Sequence, residues 1–161
     1  MISPAQAAKA NSLPSDIILI IFIHGFKGTD TTFESFPSRL QHVLSETIEN
    51  AKFECIVFPA YETKGDLVSP HIHPMLLNAS LNISSKKKEA VERFADWLTT
   101  LTVEKEVTYG VGAGNAKIVL CGHSMGGLLA ADSLLEFINT RPDTRAPLWP
   151  NIIACLAFDT P

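Results

Sequence analysis

Ser124 stands in the run Gly122-His123-Ser124-Met125-Gly126, directly after the apolar stretch Lys117-Ile118-Val119-Leu120-Cys121. A serine with glycines two residues away on either side, entered from a strand and left by a helix, has the pattern of a nucleophile elbow. The reason for the glycines is steric. The chain must reverse sharply, the serine is forced into a strained backbone conformation, and larger side chains would collide across the turn. The hydroxyl is then held clear of the sheet at a helix N-terminus, where free N–H groups and the helix dipole favour a developing negative charge. The chemistry of such a residue is nucleophilic attack on an acyl carbon. The competing reading is a chance match in a glycine-rich turn; Gly127-Leu128-Leu129-Ala130-Ala131, helix-forming and directly downstream, argues against it.

A second element points the same way. Ile17-Ile18-Leu19-Ile20-Ile21-Phe22-Ile23 is apolar throughout and ends in His24-Gly25-Phe26-Lys27-Gly28. A run of this length without alternation reads as a strand buried on both faces, as in a parallel sheet. A His-Gly loop leaving it would offer a backbone N–H to a substrate oxyanion. The plainer alternative is an ordinary turn with two glycines.

His24-Gly25-Phe26 and Val119-Leu120-Cys121-Gly122-His123-Ser124-Met125-Gly126-Gly127 together resemble the α/β-hydrolase superfamily, in its lipase and serine-esterase branches. The chain looks like the branch of GPI inositol-deacylase-like proteins and cytosolic serine esterases. The resemblance implies a partial α/β-hydrolase fold: a mainly parallel sheet of about four strands with helices on both faces, matching the third to sixth strands of the family. It implies Ser124 as nucleophile, acyl transfer to it from a small-molecule or lipid ester, and hydrolysis by water without metal or organic cofactor. The N–H of Met125, the residue after the nucleophile, faces the oxyanion by geometry; the N–H of Phe26 joins it by resemblance.

A serine needs a base, and in this superfamily the chain order is serine, acid, histidine. No histidine follows Ser124. The resemblance therefore implies that the chain is the N-terminal part of the domain, with a C-terminal part missing. The alternative is an inactive relative that binds a partner or a lipid. Of the five histidines, His123 adjoins Ser124 and diverges from it at an elbow. His24 is expected to fix the oxyanion loop, and His42 to lie on the first helix, either at its surface or in packing. His71 and His73 sit in a long loop at the carboxyl edge of the sheet, where a relocated base or half of a metal site is conceivable; no third ligand accompanies them. Asp159 leaves the last strand where some lipases carry the triad acid, although most carry it one strand later.

The elements that must position these residues alternate between strand and helix, which argues for a parallel sheet. Strands are expected at Ile17–His24, Phe53–Phe58, Lys117–Cys121 and Ile152–Phe158. The first and third should be neighbours, so that both loops reach one oxyanion. Helices are expected from about Phe36 to Ile48 with Pro37 in the first turn, from Lys86 to Leu101, and from the elbow to Asn139. Pro59–Ser85 and Thr108–Ala116 read as loops. Ile152–Phe158 would be an apolar edge strand.

Composition bounds the rest. With 161 residues, 46% hydrophobic and 19% charged, one globular domain is expected over 16–161, after a flexible segment at 1–15. A net charge of −4 gives no reason to expect nucleic acid. Lys86-Lys87-Lys88, the only basic run, is expected to decorate the exposed start of a helix, with a membrane- or phosphate-binding patch as the alternative. No stretch has the roughly 20 apolar residues of a bilayer span, and Met1–Ser15 has no signal-peptide core. Asn78-Ala79-Ser80 and Asn82-Ile83-Ser84 then read as chance glycosylation patterns. Cys55, Cys121 and Cys155 are odd in number, each in an expected strand, and read as free thiols in the cytoplasm.

Overall fold

The structure is a computed structural model that describes residues 16–25, 28–59 and 76–161, with the backbone alone over 76–86. The elements run β1 (Asp16–Ile23), α1 (Phe36–Thr47), β2 (Ala51–Val57), α2 (Leu76–Tyr109), β3 (Ala116–His123), α3 (Met125–Asn139) and β4 (Asn151–Phe158). The four strands form one all-parallel sheet in the order β2-β1-β3-β4. The unbroken apolar runs explain this. β1 lies in the interior of the sheet, with Ile17, Leu19, Ile21 and Ile23 fully buried on one face and Ile20 and Phe22 buried on the other.

Each face has its own core. Ile17, Leu19, Ile21 and Ile23 of β1 and Ile118 and Leu120 of β3 meet Val91, Phe94 and Leu98 of α2 and Leu129 and Ala130 of α3. On the opposite face Ile20 and Phe22 of β1, Phe53 of β2 and Cys121 of β3 meet Leu40 and Leu44 of α1. Helices therefore cover both faces, as expected. β1 and β3 pair from Ile17↔Ala116 to Ile23↔Gly122, so the loops that leave them emerge side by side.

Two expectations at α2 are corrected. The helix begins at Leu76 rather than Lys86 and ends at Tyr109 rather than Leu101. The part of the expected loop over 76–85 is helical, and Thr108 and Tyr109 belong to the helix while Ala116 opens β3. The reason is visible in retrospect: from Leu76 to Tyr109 there is neither proline nor glycine, so nothing breaks the helix where Asn and Ser weaken its pattern. Lys86-Lys87-Lys88 accordingly lies inside the helix. Lys87 reaches across to Asp132 of α3 at 3.0 Å, and Lys88 pairs with Glu92.

The amino edge is closed by buried polar groups. The Glu106 carboxylate is 5% exposed and accepts the N–H groups of Gly114 at 2.7 Å and Ala116 at 3.2 Å. It thereby seats the loop that enters β3. Beside it, Glu54 of β2 binds Lys105 of α2 at 2.7 Å and accepts the Tyr109 hydroxyl. Burial raises the Glu54 carboxyl, but the hydrogen bonds from Lys105 and Tyr109 and the charges of Lys105 and Lys52 outweigh it, holding the pKa below the usual value. The same bond, with burial, pushes Tyr109 up to about 12. Among the described residues no helix is long and apolar enough to cross a membrane.

Candidate active site

β3 delivers Ser124 to the carboxyl edge of the sheet, and α3 begins at the next residue. Serine at the start of a helix ordinarily caps it with its hydroxyl. Ser124 does not: its side chain makes no capping bond, and its backbone stands at φ 54°, ψ −129°. That left-handed conformation is rare for a residue with a Cβ and costs on the order of 1–3 kcal/mol. The backbone around it is over-determined. The Ser124 N–H donates to the Phe158 carbonyl at the end of β4 at 2.9 Å, and the Ser124 carbonyl accepts Gly127 N–H at 2.9 Å.

The flanking glycines are there for space. A Cβ on Gly126 would collide with the carbonyls of Ile23 and His24, and one on Gly122 with the Gly126 backbone. The turn is thus wedged between the end of β1 and its own continuation. Gly25 has the same character on the facing loop. A Cβ there would lie 2.9 Å from Ser124 Cβ and 3.2 Å from its Oγ. The two loops therefore converge on the serine hydroxyl. Gly25 belongs to the site as a residue whose lack of a side chain keeps Ser124 approachable, a role the sequence reading did not assign.

His24 is 1% exposed. Its Nδ1–H donates to the Gly25 carbonyl at 3.1 Å, and Gly28 N–H donates to the same oxygen at 2.9 Å. His24 thus bonds to the start of this loop, whose middle residues, 26 and 27, lie outside the described residues. Met125 is the first residue of α3, so no carbonyl within the helix accepts its N–H, and its side chain is 47% exposed. Phe26, expected to supply the second oxyanion donor, lies outside the described residues, as do His71 and His73.

The remaining candidates are placed without being joined. Asp159 follows β4 directly, at φ 45°, with an exposed side chain. His123 closes β3, half-buried and paired with Phe158. His42 is exposed on α1. Among the described residues no histidine is hydrogen-bonded to Ser124 or to Asp159, and no three His, Cys, Asp or Glu side chains gather as a metal site. The arrangement presents a hydroxyl, a helix N-terminus and a close-fitting loop. No family model, curated protein or solved structure matches the chain.

Proposed function

We propose that this chain carries the nucleophile half of a serine hydrolase of the α/β-hydrolase type, lipase- or esterase-like, acting on a carboxylic ester through an acyl-enzyme on Ser124. One observation carries the reading: Ser124 is held at φ 54° between two glycines with no room for a side chain, its hydroxyl spared from capping the helix it starts. Strain of this kind persists where surrounding structure enforces it, and it concentrates at functional sites. The strand order β2-β1-β3-β4 also agrees with the resemblance, which pairs β1 with β3.

In this reading Ser124 Oγ attacks the ester carbonyl. The developing oxyanion is met by the N–H groups of Met125 and Phe26, and water then releases the acyl group. The alcohol departs in the first half and the acid in the second. Asp159 is the candidate acid, and a small-molecule or lipid ester the substrate. The proposed location is the cytoplasm, a reading supported by three cysteines that are free in the structure. A second reading is favoured by a specific observation: among the described residues no histidine is hydrogen-bonded to Ser124. On that reading the chain is an inactive relative that uses the same fold to bind.

A fluorophosphonate probe separates the two. Without an adjacent base the chain should hydrolyse p-nitrophenyl esters several orders of magnitude more slowly than an intact triad would. Removing triad members from a hydrolase leaves only about 10³–10⁴-fold catalysis over water. The hydrolase reading expects slow, stoichiometric labelling that Ser124→Ala abolishes. Labelling equal in both proteins would refute it, and none at all over a day would favour the binding reading.

A further inference from the structure

The glycines around Ser124 make room for its turn, but they hold nothing in place. What holds it is a closed ring of contacts. The Ser124 N–H donates to the Phe158 carbonyl at 2.9 Å, and the Ser124 carbonyl accepts the Gly127 N–H at 2.9 Å. Phe158 ends β4, and Gly127 lies in the first turn of α3. These two partners are themselves tied together by one side chain, that of Thr160.

Gly127 is buried, and a Cβ built on it would collide with Thr160 Oγ1 and stand 3.0 Å from Thr160 Cβ and Cγ2. The half-buried Thr160 side chain therefore rests on the bare Cα of Gly127. Its Oγ1–H also turns back to the Phe158 carbonyl at 3.4 Å, the oxygen that already accepts the Ser124 N–H. The ring thus runs from Ser124 to Phe158, through Asp159 to Thr160, across to Gly127 and back to Ser124. Every link is backbone except the one that Thr160 makes to Gly127. The local sequence stiffens that link. Asp159 stands at φ 45°, in the left-handed region that Asp tolerates better than most residues, and it carries the chain from β4 back toward α3. Threonine is branched at Cβ and has few χ1 choices. Pro161 disfavours the helical region for the residue before it.

We propose that Thr160 is a positioning residue for Ser124. It acts through the backbone. By bearing on Gly127 and on the Phe158 carbonyl it keeps both polar groups of Ser124 engaged and its left-handed conformation in place, and that conformation fixes where Oγ points. The bracing itself stands on these contacts; its value to the reaction rests on the hydrolase reading. There it matters, because displacing a reacting group by a single ångström can cost about 100-fold in rate.

The test is amide hydrogen exchange, read by NMR on the folded 161-residue chain, followed by saturation labelling with a fluorophosphonate probe. Thr160→Ala removes Oγ1 and Cγ2. It should speed exchange at Ser124 and Gly127 about tenfold while the amides of β1 keep the parent's rates. Thr160→Ser, which keeps Oγ1, should restore them. Gly127→Ala reaches the same contact from the helix: its Cβ displaces Thr160 and should speed Ser124 exchange likewise, and combining it with Thr160→Ala should add little. In labelling, Thr160→Ala should lower the limiting rate about tenfold with the half-saturating probe concentration unchanged. Should Thr160→Ala fail to fold, Gly127→Ala decides by the same readouts. Ser124 exchange indifferent to the variants, a loss shared equally by β1, additive effects, or no restoration by Thr160→Ser would overturn the proposal. So would faster exchange with labelling unchanged, which would make Thr160 a brace of the fold alone. A parent chain that exchanges as expected and takes no label would defeat the hydrolase reading and leave the bracing of Ser124 by Thr160 standing.

Discussion

Ser124 has a stability signature apart from any reaction. At φ 54° its Cβ is a cost that glycine would not bear. Ser124→Gly is therefore expected to raise stability by about 1 kcal/mol, while Ser124→Ala, which keeps the Cβ, leaves it within about 0.5 kcal/mol. Urea unfolding followed by circular dichroism measures both. A Ser124→Gly variant less stable than the parent would mean that the serine is not strained. Much of this residue's setting was legible in the sequence. A turn with no room for side chains writes glycine directly into the chain, which is why Gly122 and Gly126 announce the elbow. Gly25 was less legible. Its contact with Ser124 depends on β1 and β3 lying side by side, and no local pattern records that.

At the scale of elements, the clasp of Glu54, Lys105 and Tyr109 ties the end of α2 to β2. Glu54 is held below its usual pKa, so its contribution is present above the unfolded value near 4.5 and fades as pH falls through the lower folded value. Tyr109 is pushed up to about 12, so its contribution is complete below the unfolded value of 10.0 and is lost as pH rises from there toward 12. Tyr109→Phe should therefore flatten the alkaline limb of a melting-temperature profile between those values. An unchanged limb would mean that the hydroxyl is not engaged. The strands were the more legible elements, since their apolar runs are continuous and bounded. The ends of α2 were not. Asn78, Asn82, Ser84 and Ser85 favour caps and turns in isolation, and the carboxylate of Glu106 meets the loop before β3 through a contact that the sequence does not mark.

For the molecule as a whole, the three cysteines report on both faces of the sheet. Cys55 and Cys121 pack on the α1 side and Cys155 on the other. Burial pushes Cys55 and Cys121 up to about 11 and raises Cys155 as well. At pH 8 all three are thiols, and the thiolate is the reactive form. Iodoacetamide should then modify the folded chain about tenfold more slowly than the urea-unfolded chain, as mass spectrometry would show. One cysteine reacting at the unfolded rate would mark a local opening of its face.

The bond from Ser124 N–H to the Phe158 carbonyl joins the strained residue to the last rung of an edge strand. Edge rungs fray first, since only one side of the strand is held, and local openings of this kind cost far less than global unfolding. Each time the end of β4 frays, Ser124 loses a restraint on its left-handed backbone and is drawn toward ordinary dihedral angles. On the hydrolase reading, the fraction of molecules with a poised hydroxyl would follow the opening equilibrium of β4. Substitutions along that strand, remote from the serine in sequence, would act on the site as a dimmer acts on a lamp, lowering the competent population while the fold persists.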